Sequence, residues 1–157
     1  MNTEQIHLVL KYLLRNSKVT FLGVFASDRI PLLSAISAFT PCCYVANTEQ
    51  TGWGGAHWVG FYYPTPDKLE FFDSFAKLPK EYGYDFPKTI QIQHNKIQVQ
   101  GRRSTVCGQL SIYFLYHRAQ GFPMNDIIRN LRAVSFADSE KHVYSFVQRV
   151  MQRIKIN

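Results

Sequence analysis

Cys107 lies in Val99-Gln100-Gly101-Arg102-Arg103-Ser104-Thr105-Val106-Cys107-Gly108-Gln109-Leu110, seven residues after a glutamine and at the head of an apolar-periodic segment. Upstream come Gly54-Gly55-Ala56-His57-Trp58 and then Phe71-Phe72-Asp73-Ser74. A thiolate nucleophile needs a base, a group that orients the base, and a donor for the oxyanion it creates. This chain offers a candidate for each part.

Cys107 is the nucleophile. At the start of a helix it gains from unpaired backbone N–H groups and from the positive end of the dipole, both of which favour thiolate. Gly108 would let the chain approach a substrate with no side chain in the way. His57 is the base, taking the thiol proton and later returning one to the leaving amine. Asp73 is the orienter, bound to the far imidazole nitrogen and stabilising imidazolium. Gln100, singled out from neighbouring glutamines by its spacing to Cys107 and by Gly101, is the side-chain oxyanion donor beside the Cys107 backbone N–H.

Competing residues read differently. Cys42 and Cys43 stand in an apolar run and read as buried structural thiols. Asp67 follows Pro64-Thr65-Pro66 and reads as a turn residue, and Glu70 as a solvent-facing strand position. His7 and His94 lack a matching neighbourhood, and His117 and His142 read as helix-surface residues. No paired Cys and His spacing of a zinc finger and no phosphate-cradling glycine loop occurs, so no metal site is expected.

The elements that must position these residues follow from periodicity. Ile6, Val9, Leu10, Leu13 and Leu14 predict a first helix capped by Asn2 or Thr3. Cys42 to Ala46 reads as a buried strand. Trp58 to Tyr63 and Lys68 to Phe72 form a hairpin about the Pro64-Thr65-Pro66-Asp67 turn. Antiparallel pairing there brings His57 and Asp73 to one edge of the sheet. Thr89 to Gln93 and Lys96 to Val99 are weaker strands. Cys107 opens a helix that reaches about Gln120 and stops at Gly121. Pro123 to Leu131 holds a short helix. A last helix, starting near Ser139, buries Val143, Phe146, Val147, Val150, Met151 and Ile154. The fold class is α+β, a central mixed sheet flanked by helices.

At 157 residues the chain is read as one domain, residues 1–157. Ile30 to Thr48 carries no charge, but Pro31 and Pro41 exclude a spanning helix. The N-terminus lacks the pattern of a secretory signal, and three cysteines, two of them adjacent, make no disulfide framework. A reducing compartment is expected. The net charge of +7 favours polyanionic partners, although the same residues serve equally as ordinary solvated faces. Arg102, Arg103, Arg118, Arg129, Arg132, Arg149, Arg153 and Lys155 carry much of it.

Taken together, these residues resemble the adenovirus-type cysteine proteinase (adenain) family, with its relatives in Polinton/Maverick elements and adenovirus-like viruses. The likeness runs from Phe21-Leu22-Gly23-Val24-Phe25 through Val45-Ala46-Asn47-Thr48, Gly54-Gly55-Ala56-His57-Trp58 and Phe72-Asp73-Ser74-Phe75. It continues through Gln98-Val99-Gln100-Gly101, Cys107-Gly108 and Tyr144-Ser145-Phe146, covering nearly the whole chain. The resemblance implies a papain-like cysteine protease fold, permuted in chain order. It also implies an endopeptidase that cuts virus-type structural precursors at Gly-Gly or Gly-Xaa sites during particle maturation. Trp53, Gly54 and Gly55 would border the groove for an extended peptide. No cofactor is needed for the chemistry. Backbone binding to DNA, with stimulation by it, is implied, in a virion or in the host nucleus or cytoplasm. A monomer that is neither secreted nor membrane-bound is expected.

Two departures matter. Asp73 stands where adenovirus enzymes commonly have Glu, although the wider clan also uses Asp. Between Ala76 and Gln100 there is no cysteine, so an activating peptide would bind without a covalent link or through Cys42 or Cys43. The alternative activities are deconjugation of ubiquitin-like proteins, which shares the His, Asp, Gln, Cys order, and a non-enzymatic nucleic-acid-binding role on a protease fold.

Overall fold

Side chains of successive strand residues point to opposite sides of a sheet, and in this chain both sides are apolar. In β2 (Cys42–Asn47) every residue is buried, and β3 (Trp58–Thr65) is buried over its first six positions. Cys43, Val45, Trp58 and Tyr62 enter one apolar layer, while Cys42, Tyr44, Val59, Phe61 and Tyr63 enter the other. Continuous apolar strands of this kind need cover on both faces. The computed structural model, which describes residues 1–49 and 57–156, supplies it with helices on one side and with a short helix and an aromatic segment on the other.

The sheet has five strands in the order β1 (Thr20–Phe25), β2, β3, β4 (Lys68–Phe72), β5 (Gln91–His94). The outer pairs β1/β2 and β4/β5 are parallel and the inner pairs antiparallel, so the sheet is mixed. On the helical face lie α1 (Thr3–Leu13), α3 (Cys107–Ala119), α4 (Met124–Arg132) and α5 (Phe136–Arg153). Helix α3 sits at the centre, against β3 below and α1, α4 and α5 around it. The opposite face is covered by α2 (Leu33–Phe39) through Ile36, and by Tyr84 and its neighbours. The molecule is α+β. Among the described residues no helix is long and apolar enough to cross a membrane.

Local chemistry explains several boundaries. Asn2 caps α1 reciprocally with Gln5: its side chain accepts from the Gln5 N–H at 2.9 Å, and the Gln5 side chain accepts from the Asn2 N–H at 3.0 Å. Helix α3 stops because Gly121 adopts φ +100°, a left-handed conformation that a side chain resists.

Some elements differ from expectation. The last helix begins three residues earlier, because Ser135 rather than Ser139 is the cap and accepts from the Asp138 N–H at 3.1 Å. Ser139 instead lies inside the helix and bonds back to the Phe136 carbonyl. Lys96 to Val99 forms no strand. Its polar groups go elsewhere: the Ile97 carbonyl accepts from Asn95, and the Val99 N–H donates to Ser74. Strand β5 starts at Gln91 rather than Thr89. The strand β1 and the helix α2 have no counterpart in the periodicity reading.

Two side chains read as exposed are not. Glu70 is buried and receives both the Nε and an Nη of Arg118 on α3, at 2.8 and 2.9 Å. Strand alternation points it at the helical layer, not at solvent, and Arg118 also lies over the Tyr62 ring. His117 is half-buried among Tyr113, Tyr116, Phe122 and Phe146, with Nδ1 on the Tyr113 carbonyl.

Candidate active site

The β3/β4 hairpin builds the first half of the site. Gly60 pairs with Phe72, so continuing the register sets Val59 opposite Asp73. His57 and Val59 lie on one face by alternation, and His57 thus becomes a diagonal neighbour of Asp73. The imidazole Nε2 is 2.5 Å from Asp73 Oδ1. Asp73 is fully buried, and its remaining lone pairs are occupied. Oδ1 accepts from the Phe75 N–H at 3.1 Å; Oδ2 accepts from the Lys77 N–H at 2.9 Å and the Tyr82 hydroxyl at 2.7 Å. Burial pushes this carboxyl up, but the hydrogen bonds from His57 and Tyr82 outweigh it and hold Asp73 below the usual carboxylate range.

The surroundings keep both groups in place. Asn95 accepts from the Asp73 N–H at 3.0 Å and donates to the Asp73 carbonyl at 2.6 Å, gripping the backbone from both sides. Phe75 stacks on the His57 ring at 4.9 Å between centroids, and the Tyr82 ring lies 5.8 Å away.

Helix α3 brings the second half. Cys107 is its first residue, where a backbone N–H has no intrahelical acceptor. With Nε2 on Asp73, the nitrogen left to His57 for the Cys107 sulfur is Nδ1. The backbone of Trp58 and of Gly108 also favours negative charge on the sulfur. Burial alone would raise the Cys107 thiol, but its hydrogen bond with His57, the Trp58 backbone and the His57 charge bring it below its ordinary value. Burial likewise opposes charge on His57, yet hydrogen bonds to Asp73 and Cys107 raise its pKa to about 9. The two shifts agree in sense: proton on imidazole, negative charge on sulfur.

Gly108 has a packing role. A Cβ there would meet Ile6 Cδ1 and Trp58 Cδ1 at 3.3 Å and Met1 Cβ at 3.4 Å. The missing side chain lets α3 close on α1 and β3, and it faces the core rather than a substrate.

Gln100 is buried, with 1% of its surface exposed. Its Nε2 donates to the Ser104 carbonyl at 2.8 Å, and its Oε1 accepts from the Ser74 hydroxyl. The adjoining backbone is held as well: Gln98 donates to the Gln100 carbonyl at 2.6 Å, and the Gly101 N–H donates to Glu140 of α5 at 2.7 Å.

His57, Asp73 and Cys107 form one connected array, and Gln100 joins it through Ser74, the neighbour of Asp73. Trp53, Gly54 and Gly55 lie outside the described residues. Asp67 is the turn residue expected, accepting from Thr65 Oγ1 at 2.7 Å. Ser74, Phe75, Tyr82, Asn95 and Glu140 were not foreseen as parts of the site. Adjacency to Asp73 was a signal for the first two; the others come from distant segments whose spacing carries no pattern. Among the described residues no group of three or more His, Cys, Asp or Glu side chains could hold a metal ion.

No protein-family model and no curated protein matches the sequence. Among solved structures the chain is similar to the central domain of the uncharacterized Lpg1148 protein from Legionella pneumophila. The two share 16% identity over 97% of this chain and 98% of that one, with a TM-score of 0.56. At that identity the likeness concerns the fold.

Proposed function

We propose that this chain is a cysteine endopeptidase with a papain-like fold of the adenain type, cutting structural precursor proteins at Gly-containing sites. The observation that carries the reading is the pairing of the Cys107 sulfur with an imidazole whose far nitrogen is held by a buried, ionised Asp73.

The steps follow from that array. The Cys107 thiolate attacks the peptide carbonyl carbon, the S–C bond forms, and the carbonyl π pair moves onto oxygen. The Cys107 N–H and a Gln100 Nε2 N–H stabilise that charge. His57 gives its proton to the amine nitrogen, the C–N bond breaks, and an acyl-enzyme is left. Water then enters, His57 takes its proton as the hydroxyl adds, and collapse expels the thiolate. Asp73 holds Nε2 throughout, so Nδ1 alone faces the reaction.

Non-sequence-specific DNA is the proposed stimulating partner. A cleft of about 310 Å³ between α1, α3 and α5 is lined by Tyr12, Arg15, Tyr116, Arg149 and Arg153, gathering cationic groups in one place. Arg118 is not among the free cations, being engaged with Glu70. Any activating peptide is proposed to bind without a covalent link, because both remaining thiols, Cys42 and Cys43, are buried. The setting is a reducing one, in a virion or the host nucleus or cytoplasm.

The test is cleavage of fluorogenic peptides carrying Leu-Xaa-Gly-Gly or Leu-Xaa-Gly-Xaa before the cut, under reducing conditions, with and without DNA. Turnover by the wild type, lost in Cys107→Ala and raised by DNA in a salt-sensitive way, is expected. Inert peptides together with cleavage of ubiquitin-like fusions would replace the endopeptidase reading by deconjugation.

A further inference from the structure

We propose that Ser74 positions the oxyanion donor: its buried hydroxyl orients and polarises the Gln100 carboxamide, so one dipeptide at the end of β4 governs both base and oxyanion site. The inference rests on the thiol-hydrolase reading above and deepens it.

A carboxamide has two ends of nearly the same shape, and its partners decide which end points where. The Ser104 carbonyl can only accept, so the atom 2.8 Å from it must be the Gln100 nitrogen. The oxygen then faces Ser74 Oγ, and the hydroxyl must donate. Gln100 Nε2 carries two N–H groups; Ser104 takes one, leaving the second for an oxyanion. Accepting a hydrogen bond at Oε1 draws electron density toward oxygen and makes that second N–H a stronger donor. Both side chains are sealed from solvent, Ser74 completely and Gln100 to 1%. The polarising bond therefore acts in a medium of low dielectric, where it counts for more than in water.

The backbone is fixed independently of the hydroxyl. Asn95 grips Asp73 on both its N–H and its carbonyl, and the Ser74 carbonyl accepts from the Val99 N–H at 2.9 Å. The segment carrying Gln100 is thus tied by main chain to the residues that follow β4. Removing the Ser74 hydroxyl deletes the polarising bond at Oε1 and leaves the Ser104 carbonyl to orient the amide by itself, without releasing the segment. Asp73 and Ser74 act on different partners from consecutive positions: Asp73 on the imidazole, Ser74 on the carboxamide.

The experiment compares wild type, Ser74→Ala, Gln100→Ala and the double variant in two reactions. One is cleavage of the Gly-containing peptide, which develops an oxyanion. The other is alkylation of Cys107 by iodoacetamide, which displaces iodide from a saturated carbon and develops none. Ser74→Ala is expected to lower kcat about 10-fold, a fraction of the roughly 10²-fold or greater loss typical of deleting an oxyanion donor. In the Gln100→Ala background it is expected to add nothing further. Alkylation rates and their pH profiles are expected to coincide in all four proteins. Ser74→Cys, similar in size and a weak donor, falls between wild type and Ser74→Ala.

Nuclear magnetic resonance adds a readout free of turnover. The Gln100 side-chain amide protons are expected to exchange slowly with solvent in the wild type and faster in Ser74→Ala. Unchanged kcat in Ser74→Ala, equal slowing of alkylation, or full additivity with Gln100→Ala overturns the inference while leaving the protease reading intact. A wild type that cleaves no substrate overturns the protease reading instead. Amide exchange then still decides the orientation: equal protection with and without the hydroxyl overturns that too.

Discussion

Three cysteines in this molecule are all free and buried, yet their surroundings push them in opposite directions. Cys42 and Cys43 open β2, where burial raises Cys42 to about 11 and drives Cys43 higher still. Cys107 is also desolvated, and desolvation is the largest influence on it, yet its pKa falls. What separates the two places is what the sulfur touches. The strand cysteines face apolar side chains, whereas Cys107 meets an imidazole and backbone groups of Trp58 and Gly108. Burial without partners silences a thiol, and burial with a cation and N–H donors activates it.

The sharpest way to break that contrast is by deletion. Cys107→Ala should remove all measurable peptide turnover, while Cys42→Ala and Cys43→Ala should leave kcat within about a factor of two, since neither touches the array. Loss of activity on changing either strand cysteine, with the fold intact by circular dichroism, would sink the comparison.

A second test reads the thiols directly. At pH 6 iodoacetamide should modify Cys107 on the order of 10² times faster than an ordinary exposed thiol, because most of the latter is protonated. Cys42 and Cys43 should stay unlabelled until the protein is unfolded. Peptide mapping by mass spectrometry after timed labelling gives the order, and simultaneous labelling of the three sites would contradict it.

Asp73→Asn sharpens the comparison by changing the cation rather than the sulfur. Asp73 raises the His57 pKa, so its removal lowers it, and the thiolate–imidazolium pair persists over a narrower range. Activity should fall by roughly 10²-fold. The alkaline limb, set in the wild type by a His57 pKa of about 9, should move to lower pH. An alkaline limb that stays in place would mean that Asp73 does not act through His57.

The smallest effect on chemistry is expected at Glu70. Glu70→Gln leaves Arg118 half-paired between α3 and the sheet and should cost about 2–3 kcal/mol of stability. The pH profile of the remaining activity should keep its shape, because neither residue contacts His57 or Cys107. Thermal unfolding measures the first, and a shifted profile would show that the pair reaches the site.

How much of this could be read from residue order alone depends on where the information lies. The β3/β4 hairpin was legible because alternation, a Pro-rich turn and a Lys68 start all agree, and with it came the meeting of His57 and Asp73. The cysteine helix was legible through Gly121 and its apolar period. Glu70 was misread because alternation was taken as inside against outside, whereas this sheet is covered on both faces and a charged residue meets its partner beneath a helix. Strand β1 escaped because Gly23 interrupts its apolar run, and α2 because it shows only one buried side chain, Ile36. Tyr82 and Asn95 escaped for a different reason: their roles depend on tertiary folding of the segments after β4, which no local period encodes.

The position of α3 has one more consequence. The helix that carries Cys107 also touches β3 and the three other helices of its layer. Its amides should accordingly be among the last in the molecule to exchange with deuterium, opening only with global unfolding. Many enzymes lose activity on warming before they unfold, through loosening of a peripheral active-site loop. Here the nucleophile rides on a helix held by β3 and by every other helix of its layer, so warming should erode its alignment only as the whole molecule melts.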